Sequence, residues 1–447
     1  MGKIVVIDSM CGQGKTQWAL QNINAHPDEA VIYASPLLSE LDRVIQGTCN
    51  GIIQPDYHGG HSKFYDFNRL IEDGESIAVS HSTFTKSTNN TANNIHQGRY
   101  TLYLDETMDV LVPYQDIADK KLKKGDIDAL RDAFIEVDEA GCVSWKSKSY
   151  VNDGFEYGEI ERLAKLGCLL FLGDTLFVWE FPISVFNAFE QVYVMSYMFD
   201  GSILKAYLDY HGLEYTKMQV KRSGAEYLLV PYTHDDADVQ TFRALISRYT
   251  PPPKAKRYTS TNLSSTWYKN NIKGRSCASA ATLRTSTINN YLRNVCKAKA
   301  KQIMWCCPKD YKSKIEEDGW KFTRRLTKEE RDLPKVEQEK LKQQISCFVP
   351  SNARGTNEYA DRDVLVYACN LYPNPYIQRF FAEHGVHLDT DAFALSALIQ
   401  WVWRSAIRKP EPQPIQLYIV SRRVSDLFEQ WLSGHTILPE RSELRAG

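Results

Sequence analysis

Residues 3–16, KIVVIDSMCGQGKT, decide which fold to expect. The run KIVVI at residues 3–7 is apolar and β-branched, which is typical of a strand buried on both faces. A turn with two glycines comes next, and the residues after it, TQWALQNI, favour a helix. A strand, a glycine-containing turn and a helix in this order indicate a phosphate-binding loop at the start of an α/β domain.

The turn contains the groups that binding a nucleotide's phosphates requires. Two glycines let the backbone curl so that successive N–H groups point at phosphate oxygens, and the following helix adds the partial positive charge of its N-terminus. We expect Lys15 to reach the β- and γ-phosphates and the Thr16 hydroxyl to bind Mg²⁺. Ser9 stands where the strict motif has its first glycine. The predicted nucleotide-binding residues of the turn are Cys11, Gly12, Gln13, Gly14, Lys15 and Thr16.

A second apolar run, at residues 100–104, ends in Asp105 and Glu106. A buried strand that ends in two carboxylates places the first of them at the carboxyl edge of a sheet. There Asp105 can hold Mg²⁺ through water, and Glu106 can orient or deprotonate an attacking water. Because both carboxylates are present, we expect hydrolysis of the nucleotide as well as binding. Lys15, Asp105 and Glu106 are the predicted catalytic residues of this half, and Thr16 and Asp105 the predicted metal ligands.

Short apolar runs alternate with longer mixed segments over the first 220 residues, the rhythm of βαβ units around a mostly parallel sheet. The predicted strands are residues 3–7, 30–34, 76–79, 100–104, 168–172 and 191–195. A strand at 227–230 and an amphipathic stretch at 239–249 lead into a second αβ set. Its predicted strands are residues 302–306, 345–348, 364–368 and 415–420, and its predicted helices residues 285–300 and 393–406. We therefore predict an α/β protein with two domains, divided somewhere between residues 215 and 255.

The composition agrees with a globular protein of several domains. The chain has 447 residues, of which 43% are hydrophobic and 24% charged, so one small module and wholesale disorder are excluded. The ten cysteines contain no pair with CxxC spacing, so a zinc site is not indicated. The sequence shows neither a secretory leader nor an apolar run of about 18–20 residues, so we expect a cytoplasmic protein.

The net charge of −1 conceals an uneven distribution. Residues 254–342 contain 22 Lys and Arg against 9 Asp and Glu. The aromatic residues interleaved with these charges are Tyr258, Trp267, Tyr268, Tyr291, Trp305, Tyr311 and Trp320. A basic region with aromatics can bind a phosphate backbone and stack bases, and the alternative is a solvated basic face without a ligand.

The order of these segments resembles that of superfamily 2 DExx-box helicases, in particular the helicase-like proteins of bacteriophages. CGQGKT resembles motif I and LDET resembles motif II. Further segments resemble motif Ia (Ser35-Pro36), the segment that touches the nucleic-acid backbone (SHSTF, 80–84), motif III (MSYMF, 195–199), motif V (NARGTN, 352–357) and motif VI (QWVWRSAIR, 400–408). The likeness covers most of the chain and follows the family's order.

The resemblance implies two RecA-like domains with one nucleotide between them. Residues 1–220 would be the ATPase domain, and residues 221–447 the helicase domain, with a basic insertion at about 254–342. It also implies ATP and Mg²⁺ as cofactors and nucleic acid, DNA rather than RNA, as partner. The residues implied to contact nucleic acid are Ser35, Pro36, His81, Ser82, Thr83 and Asn352.

Arginines of the second domain complete the implied nucleotide site. Either Arg404 or Arg408 would stabilise charge on the transferred phosphoryl group, and Arg354 and Gln400 would contact the nucleotide. The sequence departs from the family in two of these motifs. Tyr197-Met198 replaces Ala-Thr of motif III, and the interval from Gln400 to Arg408 is one residue longer than usual. No glutamine motif precedes the first strand, so the preference for ATP over GTP is an assumption.

Three other functions remain open at this point. A phage DNA-packaging ATPase would share the phosphate loop, but it needs a carboxylate cluster for two metals in its second half. A P-loop kinase for a small molecule would explain residues 1–107 and leave the arginine-containing segments without a task. A nucleic-acid-binding scaffold with a vestigial ATPase fits poorly with an intact Lys15, Thr16, Asp105 and Glu106.

Overall fold

Parallel strands form the main sheet in each half of the protein. The computed structural model describes residues 3–57, 60–118, 122–146, 156–233, 237–253, 258–273, 277–317, 320, 322, 326–352, 358–409 and 411–434. The chain divides into two compact units, Met1–Tyr232 with Pro373–Leu388, and Thr233–Tyr372 with Asp389–Gly447. The predicted class, an α/β protein with two RecA-like domains in tandem, is confirmed.

The first half of the chain supplies twelve of the strands that the structure describes. They are β1 (Ile4–Asp8), β2 (Val31–Ser35), β3 (Ile77–Ser80), β4 (Thr101–Asp105), β5 (Leu111–Pro113), β6 (Ile135–Val137), β7 (Val143–Trp145), β8 (Leu169–Leu172), β9 (Leu176–Glu180), β10 (Gln191–Ser196), β11 (Tyr215–Ser223) and β12 (Glu226–Pro231). The helices are α1 (Lys15–Ala25), α2 (Leu38–Gly47), α3 (Lys63–Glu72), α4 (His81–Phe84), α5 (Asn89–Gly98), α6 (Tyr114–Ala118), α7 (Lys124–Ala133), α8 (Gly158–Lys165), α9 (Ile183–Ala188) and α10 (Ile203–Tyr210).

Seven strands form the main sheet of the first unit, in the order β12-β11-β1-β10-β4-β2-β3. Only the β11–β12 pair among them is antiparallel. Alternate residues of a strand point to opposite faces, and both faces are covered. In β1, Ile4 and Val6 join the core cluster that includes residues of α3, α5 and α10, whereas Val5 and Ile7 join the cluster that includes residues of α1 and α2. The apolar runs of the sequence therefore correspond to strands buried on both faces.

The segment between β4 and β10 forms a small layer of its own, and one sequence prediction is corrected there. The predicted strand 168–172 is β8, but β8 lies in the three-stranded antiparallel sheet β5-β9-β8 rather than in the main sheet. Gly173 (φ 55°) and Asp174 (φ 56°) take left-handed backbone conformations that turn the chain straight back into β9. A strand that continues into such a hairpin pairs with its neighbour in sequence.

The second half of the chain contributes four strands among its described residues. They are β13 (Ile246–Arg248), β14 (Ile303–Cys306), β15 (Val364–Tyr367) and β16 (Ile415–Ile419). The α-helices are α11 (Ala237–Arg243), α12 (Ser265–Asn271), α13 (Ala278–Thr282), α14 (Lys312–Ile315), α15 (Lys328–Arg331), α16 (Lys335–Ile345), α17 (Pro375–Glu383), α18 (Thr390–Val402) and α19 (Arg422–Leu432). The four strands are parallel and lie in the order β13-β16-β15-β14.

Three predictions in this half differ from the structure. Residues 345–348 are not a strand, because α16 runs to Ile345 and only Phe348 forms an isolated bridge, to Trp305. The amphipathic stretch 239–249 ends in a strand, β13, which pairs with β16. The predicted helix 285–300 is π-helical at Leu283–Asn289 and Tyr291–Val295.

Four of the seven aromatic residues considered for base stacking in 254–342 are buried instead. Tyr268, Tyr291 and Trp305 are at most 1% exposed and belong to the hydrophobic core of the second unit. Tyr258 is buried in the same cluster, and Trp267, Tyr311 and Trp320 pack against it. The range also contains β14, a strand of the sheet. A fully buried ring cannot also stack on a base, and the sequence alone does not distinguish the two uses.

The boundary between the units follows Tyr232, which lies within the range 215–255. Residue 220 lies inside β11, which pairs with β1, so the first unit continues to Tyr232. It also includes α17, whose side chains Ile377, Phe380 and Phe381 join its core. The ring of Tyr210 contacts that of Phe380, with centroids 5.0 Å apart. No helix of the described residues is long and apolar enough to cross a membrane.

Candidate functional site

The turn after β1 forms a curl that encloses the side chain of Lys15. Lys15 is the first residue of α1, and its ammonium group donates to the carbonyl oxygens of Ser9 (2.6 Å) and Met10 (3.2 Å). The curl is held by a hydrogen bond from the Met10 N–H to Oε1 of Gln13, at 3.0 Å. The ammonium group is thus kept inside the turn, at the start of the helix. The helix dipole would also stabilise an anion bound there.

Two glycines make this curl possible. Gly12 has φ 87° and Gly14 has φ 92°, conformations that residues with a Cβ rarely adopt. Gly14 is the N-cap of α1 and Thr16 is its second residue. Cys11 and Gln13 are partly exposed on the same turn. The six residues that the sequence predicts for phosphate binding are therefore the turn at the carboxyl end of β1 and the first two residues of α1.

Asp105 lies at the carboxyl end of β4, and its carboxylate is buried. Its Oδ2 accepts a hydrogen bond from the Ser35 hydroxyl at 3.0 Å. Burial, and then the negative charges of Glu106 and Glu40, raise the pKa of Asp105 to about 7, while Ser35 and the ammonium group of Lys15 act in the opposite direction. A buried carboxylate with this pKa is a group that a nearby cation would stabilise in its charged form.

Both predicted metal ligands, Thr16 and Asp105, influence the buried hydroxyl of Tyr33. Burial raises the pKa of the Tyr33 hydroxyl well above its usual range, the charge of Asp105 adds to this shift, and the Thr16 hydroxyl opposes it. The two predicted metal ligands are a hydroxyl and a carboxylate, and Mg²⁺ prefers such oxygen donors together with phosphate oxygens and water. The residues therefore fit the ion. A metal site built from three or more His, Cys, Asp or Glu side chains does not occur among the described residues.

Glu106 is held by its backbone in a left-handed conformation. Its φ is 65°, which is uncommon for a residue with a side chain, and its N–H donates to the carbonyl oxygen of Met195 at 2.9 Å. Met195 lies in β10, the strand between β1 and β4. Ser196, the last residue of β10, accepts a hydrogen bond at its carbonyl oxygen from the N–H of Ser9, at 3.0 Å, and Tyr197 follows it. The end of β10 thus holds both the phosphate loop and the carboxylate pair in place.

Sequence reasoning did not identify Asp8, the last residue of β1. Its carboxylate oxygens accept hydrogen bonds from the N–H groups of Met198 (2.8 Å) and Phe199 (3.2 Å). Lys217 of β11 lies 3.4 Å from the same carboxylate and also pairs with Asp200 at 2.7 Å. Burial raises the pKa of Asp8 above its usual value, while the charge of Lys217 opposes this. The only signal in the sequence was a charged residue at the end of an apolar run.

Ser9, which departs from the strict motif, has a structural partner. Its hydroxyl oxygen accepts a hydrogen bond from the buried N–H of Val220 at 2.8 Å. Val220 lies in β11, and its N–H is part of the strand that borders β1. A glycine at position 9 could not make this bond, so the serine ties the loop to the neighbouring strand.

The residues predicted to contact nucleic acid follow β2 and β3. Ser35 ends β2, but its hydroxyl is fully buried and bonded to Asp105, so its side chain supports the carboxylate. Pro36 is partly exposed next to it. His81, Ser82 and Thr83 form the short helix α4 directly after β3, and only Ser82 of the three is exposed. The Ser80 hydroxyl bonds the hydroxyls of Ser82 (3.0 Å) and Thr83 (3.2 Å).

Three of the predicted residues of the second half, Gln400, Arg404 and Arg408, lie at or just after the end of α18. Gln400 is in the helix and donates to the Ser396 hydroxyl at 3.3 Å. Arg404 follows the helix, is 5% exposed, and its Nε donates to the Gln400 carbonyl at 3.3 Å. Arg408 is partly exposed at the end of a short 3₁₀ turn. Asn352 is exposed in a turn, and Arg354 lies outside the described residues.

Comparisons with known proteins give one close and several distant similarities. A family described as the YonV C-terminal Rossmann-like domain matches residues 240–432. The SPbeta prophage-derived uncharacterized protein YonV of Bacillus subtilis (strain 168) is 30% identical over 447 residues, which cover 97% of this chain and 99% of YonV.

Solved structures of low sequence identity align with most of the chain. S. tokodaii Xpd4 is 13% identical, with 96% of this chain and 94% of Xpd4 covered and a TM-score of 0.46. The DUF1998 helicase MrfA bound to DNA is 10% identical, with 96% of this chain and 49% of MrfA covered and a TM-score of 0.34. The similarity to YonV extends over nearly the whole of both sequences, and the chain therefore belongs to the YonV family.

Proposed function

We propose that the protein is an ATP-dependent translocase or helicase of superfamily 2 that acts on nucleic acid, DNA rather than RNA, in phage replication or recombination. The observation that carries the proposal is that Lys15 and Thr16 open α1 after β1, while Asp105 ends β4 at the same carboxyl edge of one mostly parallel sheet. The prophage origin of YonV supports a role in phage biology.

The first unit would bind and hydrolyse the nucleotide. The N–H groups of the turn and the ammonium group of Lys15 would bind its phosphates, and Lys15 would give up the carbonyl oxygens of Ser9 and Met10 for them. Thr16 and Asp105 would hold Mg²⁺, which neutralises charge on the phosphates. Glu106 would orient and deprotonate the attacking water.

The second unit would supply arginines for the hydrolysis step and one of the residues that contact the nucleic acid. In this proposal Arg404 or Arg408 stabilises the charge of the transferred phosphoryl group, and Gln400 and Arg354 contact the nucleotide. Arg408 is the better candidate of the two arginines that the structure describes, since Arg404 is 5% exposed. The backbone of the nucleic acid would contact Pro36, Ser82 and Asn352, with Ser35, His81 and Thr83 behind them.

The test is nucleotide hydrolysis in the presence and absence of single-stranded DNA, duplex DNA, forked DNA and RNA. Lys15→Ala should lower the rate about a hundredfold or more, because a charged group that contacts the phosphates is lost. Glu106→Gln should bind ATP normally and hydrolyse it about 10²–10⁴-fold more slowly, because only the base is removed. Lys124→Ala is the matched control, since Lys124 is an exposed lysine at the start of α7 in the same unit.

Stimulation by one polymer, absent in Lys15→Ala, would establish a motor and identify its track. Its salt dependence should be steep, because contacts to a phosphate backbone release counterions. Hydrolysis that no polymer changes would contradict the motor and favour a P-loop kinase. Equal activity of Lys15→Ala and Lys124→Ala would contradict the nucleotide site itself.

A further inference from the structure

The hairpin of β11 and β12 lies beside the phosphate loop, on the side of β1 away from β10. Gln21 of α1 fixes the hairpin at two points. Its Oε1 accepts the N–H of Tyr227 at 2.9 Å, and its Nε2 donates to the Ala225 carbonyl at 3.3 Å. The position of Tyr227 relative to α1 is therefore set by hydrogen bonds on the backbone of the hairpin, independently of the tyrosine ring.

The ring of Tyr227 packs directly on the phosphate loop. A Cβ placed on Gly14 would clash with the ring, because it would lie 2.1 Å from Cε1 and 2.4 Å from Cδ1. Gly14 immediately precedes Lys15, so this aromatic side chain contacts the loop next to the ammonium group. The ring is only partly buried, and β12 is the edge strand of the sheet.

A guanidinium group accompanies the ring. Cζ of Arg222 lies 5.9 Å from the centre of the Tyr227 ring, and its Nε donates to the Gly224 carbonyl at 3.0 Å, which holds the arginine against the turn of the hairpin. An aromatic ring and a guanidinium plane are the two side-chain types on which nucleic-acid bases stack. Both lie on one hairpin, whose Tyr227 ring packs against Gly14 of the turn.

We propose that Tyr227, assisted by Arg222, is the platform for the base of the bound nucleoside triphosphate, an inference that rests on the proposed nucleotide site. Because the ring of Tyr227 lies against Gly14, a nucleotide whose phosphates bind at Gly14 and Lys15 has this ring as a neighbour. Stacking uses the face of a base, which adenine and guanine share, so the platform binds both purines. The side-chain amide of Gln21 is occupied by the hairpin backbone and does not read the edge of the base.

The experiment measures equilibrium binding of Mg²⁺ complexes of ATP, GTP and inorganic triphosphate by calorimetry. Loss of a stacked base costs about 1–3 kcal/mol, so Tyr227→Ala should bind ATP and GTP roughly 5- to 150-fold more weakly. Its affinity for inorganic triphosphate, which has no base, should equal that of the wild type. Tyr227→Phe should retain binding of all three. Tyr65→Ala is the control, because Tyr65 is a 54% exposed tyrosine of the same unit.

Several results would overturn the platform. One is unchanged ATP affinity in Tyr227→Ala. Another is an equal loss for ATP and triphosphate, which would mean that the ring only shapes the loop. Tighter ATP binding by Tyr227→Ala would mean that the ring covers the site. A wild-type protein that binds neither ATP nor triphosphate would instead refute the nucleotide site, and the platform with it.

Discussion

Replacing Asp8 with asparagine should loosen the end of β10. The two oxygens of the Asp8 carboxylate accept the N–H groups of Met198 and Phe199. Asparagine has the same shape, but its amide offers one oxygen acceptor and one NH₂ donor. Whichever way the amide turns, one backbone N–H faces another donor, and the Phe199 bond is buried.

The size of the effect follows from the bonds that are lost. A buried N–H without a partner costs about 1–3 kcal/mol. Removing the charge offsets part of this cost, because burial disfavours the carboxylate form and raises the pKa of Asp8. The loss of the 3.4 Å contact between the carboxylate and Lys217 acts in the opposite direction and adds to the cost. We expect a net loss of about 2 kcal/mol, or roughly a thirtyfold decrease in amide protection.

Amide hydrogen exchange of a peptide covering residues 191–199 measures this local opening. Asp200→Asn is the matched control. Asp200 pairs with the same Lys217 but is 49% exposed, so its loss should cost about 0–1 kcal/mol. Equal protection of residues 191–199 in the two variants would refute the argument that Asp8 holds this segment through its two acceptors.

Three further predictions concern other buried contacts. Ser9→Gly, which restores the strict motif, should destabilise the first unit by about 1–3 kcal/mol in urea unfolding, because the N–H of Val220 loses its acceptor, and unchanged stability would contradict this. Burial raises the pKa of Cys347 to about 11 from 9.0, so the stabilising contribution of its neutral thiol is complete below pH 9 and is lost as the pH rises through 11. Between about pH 8 and 10.5 the free energy of unfolding of Cys347→Ala should therefore fall by about 2 kcal/mol less than that of the wild type. Arg423→Lys should lower the free energy of unfolding by about 1–3 kcal/mol, because the Arg423 guanidinium donates to Asp391, Asn370 and two backbone carbonyls. Arg422→Lys is the control: its side chain is 73% exposed, so the same assay should show a change of less than about 0.5 kcal/mol.

The sequence predicted the local elements of the site well, because each is written in neighbouring residues. A β-branched run before two glycines and Lys15 can hardly form anything but a strand, a turn and a helix start, and β1 and α1 are found there. The run before Asp105 likewise became β4. The alternation of such runs also predicted the α/β class.

Predictions that depended on partners distant in sequence failed more often. The run at 168–172 is a strand, as predicted, but its pairing in a separate antiparallel sheet was decided by the turn at Gly173 and the core it joins. Four of the seven aromatics of residues 254–342 are core residues of the second unit, and the other three pack against that core. An apolar ring is equally suitable for a core and for stacking on a base, so burial had to decide.

The sequence by itself determined that this protein has a mostly parallel α/β fold, with a glycine turn at the end of one strand, β1, and a carboxylate pair at the end of another, β4, because backbone preference and apolar periodicity are local properties. Only the tertiary structure decided what holds those parts together. Asp8 bonds a segment 190 residues away, and Ser9 bonds a strand 211 residues away. The packing of the Tyr227 ring on Gly14 likewise joins residues that are far apart in the sequence. Such contacts arise because β10 and β11 pair on either side of β1, and that pairing is chosen by the burial of whole faces rather than by any short pattern.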